Sequence, residues 1–266
     1  MKSNSLIPII TVIIAVLFLP SIVVGMPVPW YSEDNHAHGD ASIYNSIAPS
    51  GDSDADDVYS PPLPLPITAF ASVTDPLSQS ATGSSAITSS QMSINTYAFD
   101  SYGSDSYADA NAVADFTGSF VATHDLFQFS YSFRAIATTD CTFGSSTCDS
   151  YTSGYLYVKD LTDSTILLDD LLFSANAHYG GSAAIGDLSE TLSRFVPLTV
   201  GHEFEVGLEI IGNSYASGLA AEGSSDITFQ YNTSINTANP IPEPSTMILL
   251  GSGLLGLVGL RKKFKK

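Results

Sequence analysis

The chain has 266 residues, and its 27 acidic residues against nine basic ones give a formal net charge of −18 at pH 7. All but one of the acidic residues lie between positions 26 and 241, where the only basic residues are Arg134, Lys159 and Arg194. Because nucleic-acid binding depends on Lys and Arg side chains that neutralise phosphates, this charge excludes a nucleic-acid partner. The same charge favours solubility, and divalent cations can bridge it to an anionic polymer.

The first 25 residues have the composition of a secretory signal peptide. Lys2 is followed by an almost wholly apolar run from Leu6 to Val24. The residues before Met26, Val23-Val24-Gly25, are small enough for cleavage by signal peptidase. An uncleaved N-terminal anchor is the alternative, because the run is long enough to span a membrane. We therefore predict that residues 1–25 are a signal peptide, with the Sec translocon and signal peptidase as partners.

Residues 26–66 are rich in Pro, Ser, Asp and Asn, and they end in a proline-rich stretch from Pro61 to Pro66. Few apolar residues recur at regular spacing, so we predict a linker or loosely attached arm rather than core. Trp30, the single tryptophan of the chain, falls in this segment. His36 and His38 also fall in this segment. They suggest a metal site, and a solvated arm is the alternative interpretation.

Four aspartates in this segment, Asp52, Asp54, Asp56 and Asp57, have the alternate spacing of calcium ligands. They lack the sixth-position glycine and twelfth-position glutamate of an EF-hand, and an acidic, disordered spacer is the alternative. Gly51-Asp52-Ser53 resembles the start of a GDSL-type esterase block, but Asp54 stands where leucine is expected. We predict no cofactor, with Ca²⁺ at these aspartates as the one candidate ion.

Residues 67–238 show short β-rich runs between recurring turn residues, the pattern of an antiparallel sandwich. The clearest run is Leu126 to Phe133, where Phe127, Phe129, Tyr131 and Phe133 alternate with small polar residues. Strict alternation places these four rings on one side of a strand. We predict that they form the sandwich core rather than a platform on which sugars stack.

Other runs complete the predicted fold. Phe204, Val206, Leu208 and Ile210 form a second apolar face, with Glu203, Glu205 and Glu209 expected to face water on the other side. Further strands are predicted at 92–99, 112–121, 151–160, 165–173, 191–198 and 227–231, and residues 155–164 suit a hairpin with a polar turn. The predicted fold class is all-β, a single antiparallel β-sandwich with jelly-roll-like connections.

The two cysteines, Cys141 and Cys148, are separated by six residues. In an oxidising compartment this spacing favours a disulfide that closes a small loop, and it stabilises the fold by about 2 to 3 kcal/mol. A redox-active pair would have the Cys-x-x-Cys spacing, and a zinc site would need further ligands close by. Free thiols are the remaining alternative.

No catalytic motif stands out. The sequence has no Gly-x-Ser-x-Gly nucleophile elbow and no Walker or dinucleotide-binding glycine pattern. Its five histidines are scattered, with only His36 and His38 close together. Neighbouring carboxylates such as Asp169 and Asp170 are frequent in so acidic a chain, and glycoside hydrolysis requires a set separation that sequence does not fix.

The C-terminal end combines three different elements in order. Pro242, Glu243, Pro244, Ser245 and Thr246 form a rigid turn, Met247 to Leu260 is a short Gly-rich apolar stretch, and the basic residues Arg261, Lys262, Lys263, Lys265 and Lys266 follow. As a helix, Thr246 to Leu260 spans about 22 Å against a hydrocarbon core of about 30 Å. The basic end favours the cytoplasmic side. We predict a short transmembrane helix that meets the membrane at least transiently.

This order of elements resembles the PEP-CTERM sorting signal of envelope proteins from Gram-negative bacteria, here over residues 239–266. The resemblance implies that an exosortase recognises the Pro242-Glu243-Pro244 segment, cleaves the tail, and releases or transfers the protein to the cell exterior. It also implies an inner-membrane intermediate before the cell surface or extracellular matrix. Many such proteins have a variable all-β body whose last strand runs into the tail, as residues 226–235 would here.

The resemblance leads to three functional hypotheses. The favoured one is an exported, non-enzymatic envelope or matrix protein associated with exopolysaccharide or biofilm. The second is a secreted carbohydrate-binding sandwich, in which Tyr97, Tyr102 and Tyr107 would stack on sugar rings. The third, a secreted hydrolase, lacks a recognisable set of catalytic residues.

Overall fold

The computed structural model describes residues 26–45, 52–60, 65–75, 79–101, 106–141, 146–179, 182–185 and 192–236. The signal peptide predicted for residues 1–25 and the helix predicted near the C-terminus lie outside these ranges. Within these ranges, the structure has no helix with the length and apolar character needed to span a membrane.

The described residues form fourteen strands. In chain order they are β1 (Met26–Pro27), β2 (Ser32–Asn45), β3 (Asp52–Ser60), β4 (Ile67–Asp75), β5 (Gln79–Ile87), β6 (Gln91–Asp100), β7 (Ser106–Val121), β8 (Leu126–Cys141), β9 (Thr147–Asp160), β10 (Thr165–His178), β11 (Ser182–Ile185), β12 (Leu192–Pro197), β13 (Glu203–Ser217) and β14 (Ala221–Asn236). The all-β prediction is therefore confirmed.

The strands form two antiparallel sheets that pack face to face. The eight-stranded sheet has the order β11-β8-β14-β6-β5-β4, with β12 also paired to β8 and β1 to β14. The six-stranded sheet has the order β10-β9-β13-β7-β2-β3. The last two strands lie in different sheets: β13 lies between β9 and β7 in the six-stranded sheet, and β14 lies between β8 and β6 in the eight-stranded sheet. The two-sheet prediction is confirmed, while the jelly-roll-like connectivity stays a prediction.

Aromatic side chains fill one end of the space between the sheets. The four predicted core rings of β8 are all at most 5% exposed, and Phe229 of β14 stacks against three of them, with its ring centre 5.6 Å from that of Tyr131. The predicted apolar face of β13 is also buried. The alternation of large apolar and small polar residues thus marked the core correctly, because each such strand has one buried face.

Alanine and glycine fill the other end, where the sheets come much closer together. Ala41, Ala71, Ala81 and Ala110 are among the residues of this second cluster, and all are at most 1% exposed. A Cβ atom built on Gly39 would lie only 2.6 Å from the carbonyl oxygen of Gly83 in the facing sheet. Backbone therefore meets backbone here, and no larger side chain has room between the sheets.

The prediction of a linker over residues 26–66 is wrong, because β2 and β3 belong to the six-stranded sheet. β2 pairs with β3 on one side and with β7 on the other. Its inward residues include Ala37 and Ala41, which are fully buried at the thin part of the sandwich. Small inward residues give little hydrophobic periodicity, so this strand resembled a polar linker. The domain therefore begins well before the predicted residue 67.

Trp30 is likewise part of the core and not of a linker. Its ring makes edge-to-face contacts with Phe116 and Phe120, at 5.3 Å and 5.4 Å between ring centres. The predicted disulfide is present: Cys141 at the end of β8 is joined to Cys148 of β9. The predicted hairpin is formed by β9 and β10, which pair from Asp160 and Thr165 onward.

Candidate functional site

A row of polar and aromatic side chains crosses the outer face of the six-stranded sheet. In register, Tyr59 of β3 lies beside His36 of β2, which lies beside Asp115 of β7, then Glu209 of β13 and Tyr155 of β9. We call these five residues the His36 row. Because neighbouring strands are about 4.8 Å apart, the row extends for about 19 Å. It lies on the outer side because the intervening residues of each strand face the other sheet.

His36 is held by three neighbours. Its Nδ1 is 2.9 Å from Oδ2 of Asp115, and its Nε2 is 3.1 Å from Oδ1 of Asp57. Its ring stacks on Tyr59 with the ring centres 4.3 Å apart and the planes nearly parallel. Partial burial lowers the pKa of His36, but the hydrogen bonds to Asp57 and Asp115 outweigh burial, so the pKa is raised overall.

Asp57 joins a second histidine to the row. Its Oδ1 is 2.7 Å from Nδ1 of His38, two residues along β2 from His36 and on the same face. The hydrogen bonds from His36 and His38 lower the pKa of the Asp57 carboxyl. The two histidines and the carboxylate place their donor atoms within 4.8 Å of one another.

Beside the histidines, a groove of about 290 Å³ runs between Asp115 and Tyr157. Asp115, Glu209, Tyr155 and Tyr157 line it, with Gly207 in its floor. Burial raises the pKa of Asp115, and burial together with the charge of Asp115 raises the pKa of Glu209. Glu209 is on the predicted outer side, but it is half-buried by its neighbours instead of fully in water.

The chemistry of this face suits a polar ligand with flat apolar surfaces. Tyr59 and Tyr155 expose 48% and 39% of their surface at the two ends of the row, so their rings are available for stacking. Between them, Asp115 and Glu209 present carboxylate oxygens that accept hydrogen bonds from hydroxyl groups. The histidine and carboxylate atoms at the Tyr59 end are, in addition, donors that metal ions bind.

A second cluster of histidine and carboxylates lies at the β9–β10 turn. Nδ1 of His202 is 2.8 Å from Oδ2 of Asp160 and 3.7 Å from Oδ2 of Asp163. The other oxygen of Asp160 accepts hydrogen bonds from the backbone N–H groups of Thr162 and Asp163, at 2.9 Å and 3.1 Å. This aspartate therefore serves to close the hairpin turn.

The structure separates the four aspartates considered as calcium ligands. They lie on β3, where Asp57 is on the outer face and Asp54 and Asp56 are on the opposite side. Oδ2 of Asp56 accepts a hydrogen bond from the backbone N–H of Phe70, and Oδ2 of Asp54 accepts one from Ser72, both at 3.0 Å. These two carboxylates cap the free edge of β4 in the other sheet, so the four acids do not form one loop.

The tyrosines considered for sugar stacking do not share a surface. Tyr97 is on the outer face of β6 in the eight-stranded sheet, whereas Tyr107 of β7 is on the six-stranded sheet and stacks between Tyr44 and Tyr215. Tyr102 lies outside the described residues, as do Pro242, Glu243, Pro244, Ser245 and Thr246 of the sorting motif and the basic tail. His178 is paired with Asp149 on the surface.

Sequence reasoning found His36 and His38 but missed the residues that surround them. Asp57 is 19 residues from His38 along the chain, and Asp115 is 79 residues from His36. Glu209 and Tyr155 come from two further strands. Only the strand register brings them together, although the alternation of polar residues on β2 was a readable signal that one face of this segment is exposed.

Comparison with known proteins identifies one segment. Residues 240–263 match the family model of the PEP-CTERM protein-sorting motif. No curated protein matches the chain.

Solved structures show only remote likeness. A carbohydrate-binding module in complex with β-1,4-galactotriose is 7% identical, over 50% of this chain and 72% of that one, with a TM-score of 0.18. A structure from work on promiscuous carbohydrate-binding modules of the β-sandwich superfamily is 7% identical, over 77% and 92%, with a TM-score of 0.15. The structure of infectious bursal disease virus, Gx strain, is 10% identical, over 85% and 74%, with a TM-score of 0.17. Scores this low support no argument about fold or function.

The matched motif directly follows the β14 strand of the sandwich, which ends at Asn236. Such a motif implies export, a membrane-anchored intermediate and processing by an exosortase. The resemblance found in the three elements of the tail is thus confirmed, and the chain is a PEP-CTERM sorting domain-containing protein.

Proposed function

We propose that this protein is a non-enzymatic component of the cell envelope or extracellular matrix, associated with exopolysaccharide or biofilm. It leaves the cell through the Sec translocon, loses its signal peptide to signal peptidase, and is processed at its C-terminal end by an exosortase. The observation that carries the proposal is the sorting motif at residues 240–263, placed directly after the last strand of an all-β domain.

The charge of the domain supports association with a polymer outside the cell. Nearly all of the 27 acidic residues belong to the part of the chain between the two terminal segments, which holds only three basic residues. Such a surface repels anionic polysaccharide directly but is bridged to it by divalent cations. The interaction we propose therefore depends on divalent ions and weakens when they are removed.

The sorting step is tested by replacing Pro242, Glu243 and Pro244 with alanine in a host that has an exosortase. The expected result is a protein that keeps its C-terminal tail, shown by mass spectrometry of the intact chain, and stays in the membrane fraction. The matched control replaces Pro61 and Pro62, two prolines outside the motif, and should be processed normally. Normal processing of the triple variant would overturn the proposal.

A second candidate function is carbohydrate binding, which the His36 row favours. Exposed rings at both ends and carboxylates in the middle form a surface of about 19 Å on one rigid sheet. Tyr155 also lines the adjacent groove together with Tyr157. Rings and hydrogen-bond acceptors in this arrangement suit a chain of sugar rings, which has apolar faces and hydroxyl edges.

Carbohydrate binding is tested by retention of the protein on exopolysaccharide purified from its host. Replacing Tyr155 with alanine should weaken retention by about 2- to 10-fold, the range expected from loss of one stacked ring. Tyr97→Ala removes a ring from the outer face of the other sheet and serves as control. Absence of retention, or an equal effect of both variants, would exclude this function for the row.

A further inference from the structure

We propose that His36, His38 and Asp57 form a binding site for a divalent transition-metal ion of the Zn²⁺ class. The proposal does not depend on the function proposed above. It assigns to the exposed face of β2 and β3 a three-ligand site with room for a further ligand from solution or from a partner molecule.

The spacing of the donor atoms fits such an ion. Oδ1 of Asp57 is 3.1 Å from Nε2 of His36 and 2.7 Å from Nδ1 of His38, and all three atoms lie within 4.8 Å of one another. Zinc binds nitrogen and oxygen at about 2.0 to 2.2 Å, so ligand atoms around a tetrahedral ion are about 3.3 Å apart. Both measured distances to Asp57 are shorter than this value, so binding of the ion requires the Asp57 carboxylate to move slightly away from the two histidines.

The surroundings of His36 are those of a metal ligand. Its Nδ1 is 2.9 Å from Oδ2 of Asp115, where an Nδ1–H group donates a hydrogen bond to the carboxylate. In the neutral ring with its proton on Nδ1, Nε2 has a lone pair for the ion, and metal binding would replace the hydrogen bond between Nε2 and Asp57. Metal-binding histidines almost always have such a carboxylate or carbonyl partner, which fixes the tautomer and the ring orientation. The parallel ring of Tyr59, 4.3 Å away, limits rotation of the imidazole further.

The strands hold the ligands rigidly. His36 and His38 are two residues apart on β2, which is hydrogen-bonded on both sides, and Ala37 between them is fully buried. Asp57 is the register partner of His38 on β3. The side chain of Asp57 is 52% exposed, so the remaining coordination positions of an ion would be open. The site is thus formed before metal binding, which lowers the entropic cost of binding.

The ligand types select the class of metal. Two imidazoles and one carboxylate suit Zn²⁺, Cu²⁺ or Ni²⁺, whereas Ca²⁺ and Mg²⁺ prefer oxygen ligands only. The other cluster of this kind in the described residues, formed by His202, Asp160 and Asp163, has a single nitrogen donor. One oxygen of its Asp160 is already used by the hairpin turn, so this second cluster offers fewer free ligand atoms and provides a matched control.

The test is isothermal titration calorimetry of Zn²⁺ into the purified full-length protein, with Co²⁺ absorption spectra as a second measurement of coordination. We expect one saturable site for the wild type and at least a 10-fold loss of affinity in His38→Gln and in Asp57→Asn. Asp115→Asn leaves the three proposed ligands in place but alters the hydrogen-bond partner of His36, and it should weaken binding by about 10- to 100-fold. His202→Gln makes the same chemical change at the control cluster and should leave the affinity unchanged.

Two results would overturn the site. One is the absence of saturable Zn²⁺ binding to the wild-type protein, which does not depend on any variant. The other is a failure of the ligand variants to differ from the control, with His38→Gln, Asp57→Asn and His202→Gln all showing the same affinity as one another. Circular dichroism of each variant establishes that a loss of Zn²⁺ binding is not caused by a loss of the fold. A tetrahedral Co²⁺ spectrum that is present in the wild type and absent in His38→Gln would support His38 as a metal ligand.

Discussion

Gly207 lies directly beneath the ring of Tyr157 on the outer face of the six-stranded sheet. A Cβ atom on Gly207 would overlap this ring, and Tyr157 is in turn fixed by a hydrogen bond from its hydroxyl to Glu205, at 3.0 Å. The glycine is therefore needed for close approach rather than for an unusual backbone angle. Because Gly207 lies in the floor of the groove, its lack of a side chain also helps to determine the shape of the candidate binding face.

We expect Gly207→Ala to lower the free energy of unfolding by about 1 to 3 kcal/mol, because the new methyl group displaces the Tyr157 ring. Chemical denaturation measures the change. Tyr157→Phe, which keeps the ring and removes only the hydrogen bond to Glu205, should cost about 1 kcal/mol or less. If Gly207→Ala unfolds at the same denaturant concentration as the wild type, the ring is free to move and this explanation is wrong.

Glu209 makes the stability of the folded protein depend on pH. Burial raises its pKa, and the charge of Asp115 raises it further. A carboxyl whose pKa is raised by folding stabilises the protein when it is protonated, and this stabilisation is lost as the pH rises through the raised pKa. Ionised Glu209 at neutral pH is therefore a cost to stability.

Glu209→Gln removes this cost, so we expect the melting temperature to rise by about 1 to 3 °C at pH 7 and to change much less at pH 4. The comparison is thermal unfolding of both proteins at the two pH values. Glu203→Gln, on the same face of the same strand, is the control for the loss of one negative charge. An equal gain at both pH values would show that the effect of Glu209→Gln comes from packing rather than from ionisation.

At the scale of elements, β3 protects an edge of the facing sheet. β4 ends the eight-stranded sheet, and such an edge exposes backbone groups to pairing with another chain. Asp54 and Asp56 accept hydrogen bonds from the N–H groups of Ser72 and Phe70 on this edge. Each carboxylate also carries charge, which opposes the approach of a second acidic molecule.

Replacing both Asp54 and Asp56 with alanine should expose the β4 edge, lower the free energy of unfolding by about 1 to 3 kcal/mol, and raise the rate of aggregation. Light scattering at constant protein concentration measures the aggregation. Asp52→Ala is the matched control on the same strand, because among the residues that the structure describes Asp52 accepts a hydrogen bond only from the adjacent Ser53 N–H. Equal aggregation of the double variant and the control would contradict a protective role.

The strands that sequence predicted and those it missed differ in the size of their inward residues. β8 and β13 were found because phenylalanine, leucine and isoleucine alternate with polar residues along them. β2 was missed because its inward residues include Ala37, Gly39 and Ala41, and β3 because its alternate aspartates resembled a solvated spacer. The candidate site could not be assembled from sequence, since its five residues come from five strands whose register is set by the whole sandwich.

Over the whole molecule, the sandwich tapers from a thick aromatic end to a thin alanine end. The thin end brings β2 and β5 into backbone contact, with Gly39 and Gly83 at the crossing point. A Cβ on Gly83 would lie 2.6 Å from the carbonyl oxygen of Asp40 and would also overlap that of Asn111. Both of these residues are on the six-stranded sheet, near the proposed metal ligands on β2.

Gly83→Ala should therefore separate the two sheets at this end and lower the free energy of unfolding by about 3 kcal/mol or more, because backbone cannot yield as a flexible side chain does. Ala81→Gly, on the same inward face of β5, tests the opposite change, and it should cost only about 1 kcal/mol. Since β2 also bears His36 and His38, Gly83→Ala should weaken Zn²⁺ binding without altering any ligand, whereas Ala81→Gly should not. A Gly83→Ala protein as stable as the wild type would show that the sheets have space between them at this point.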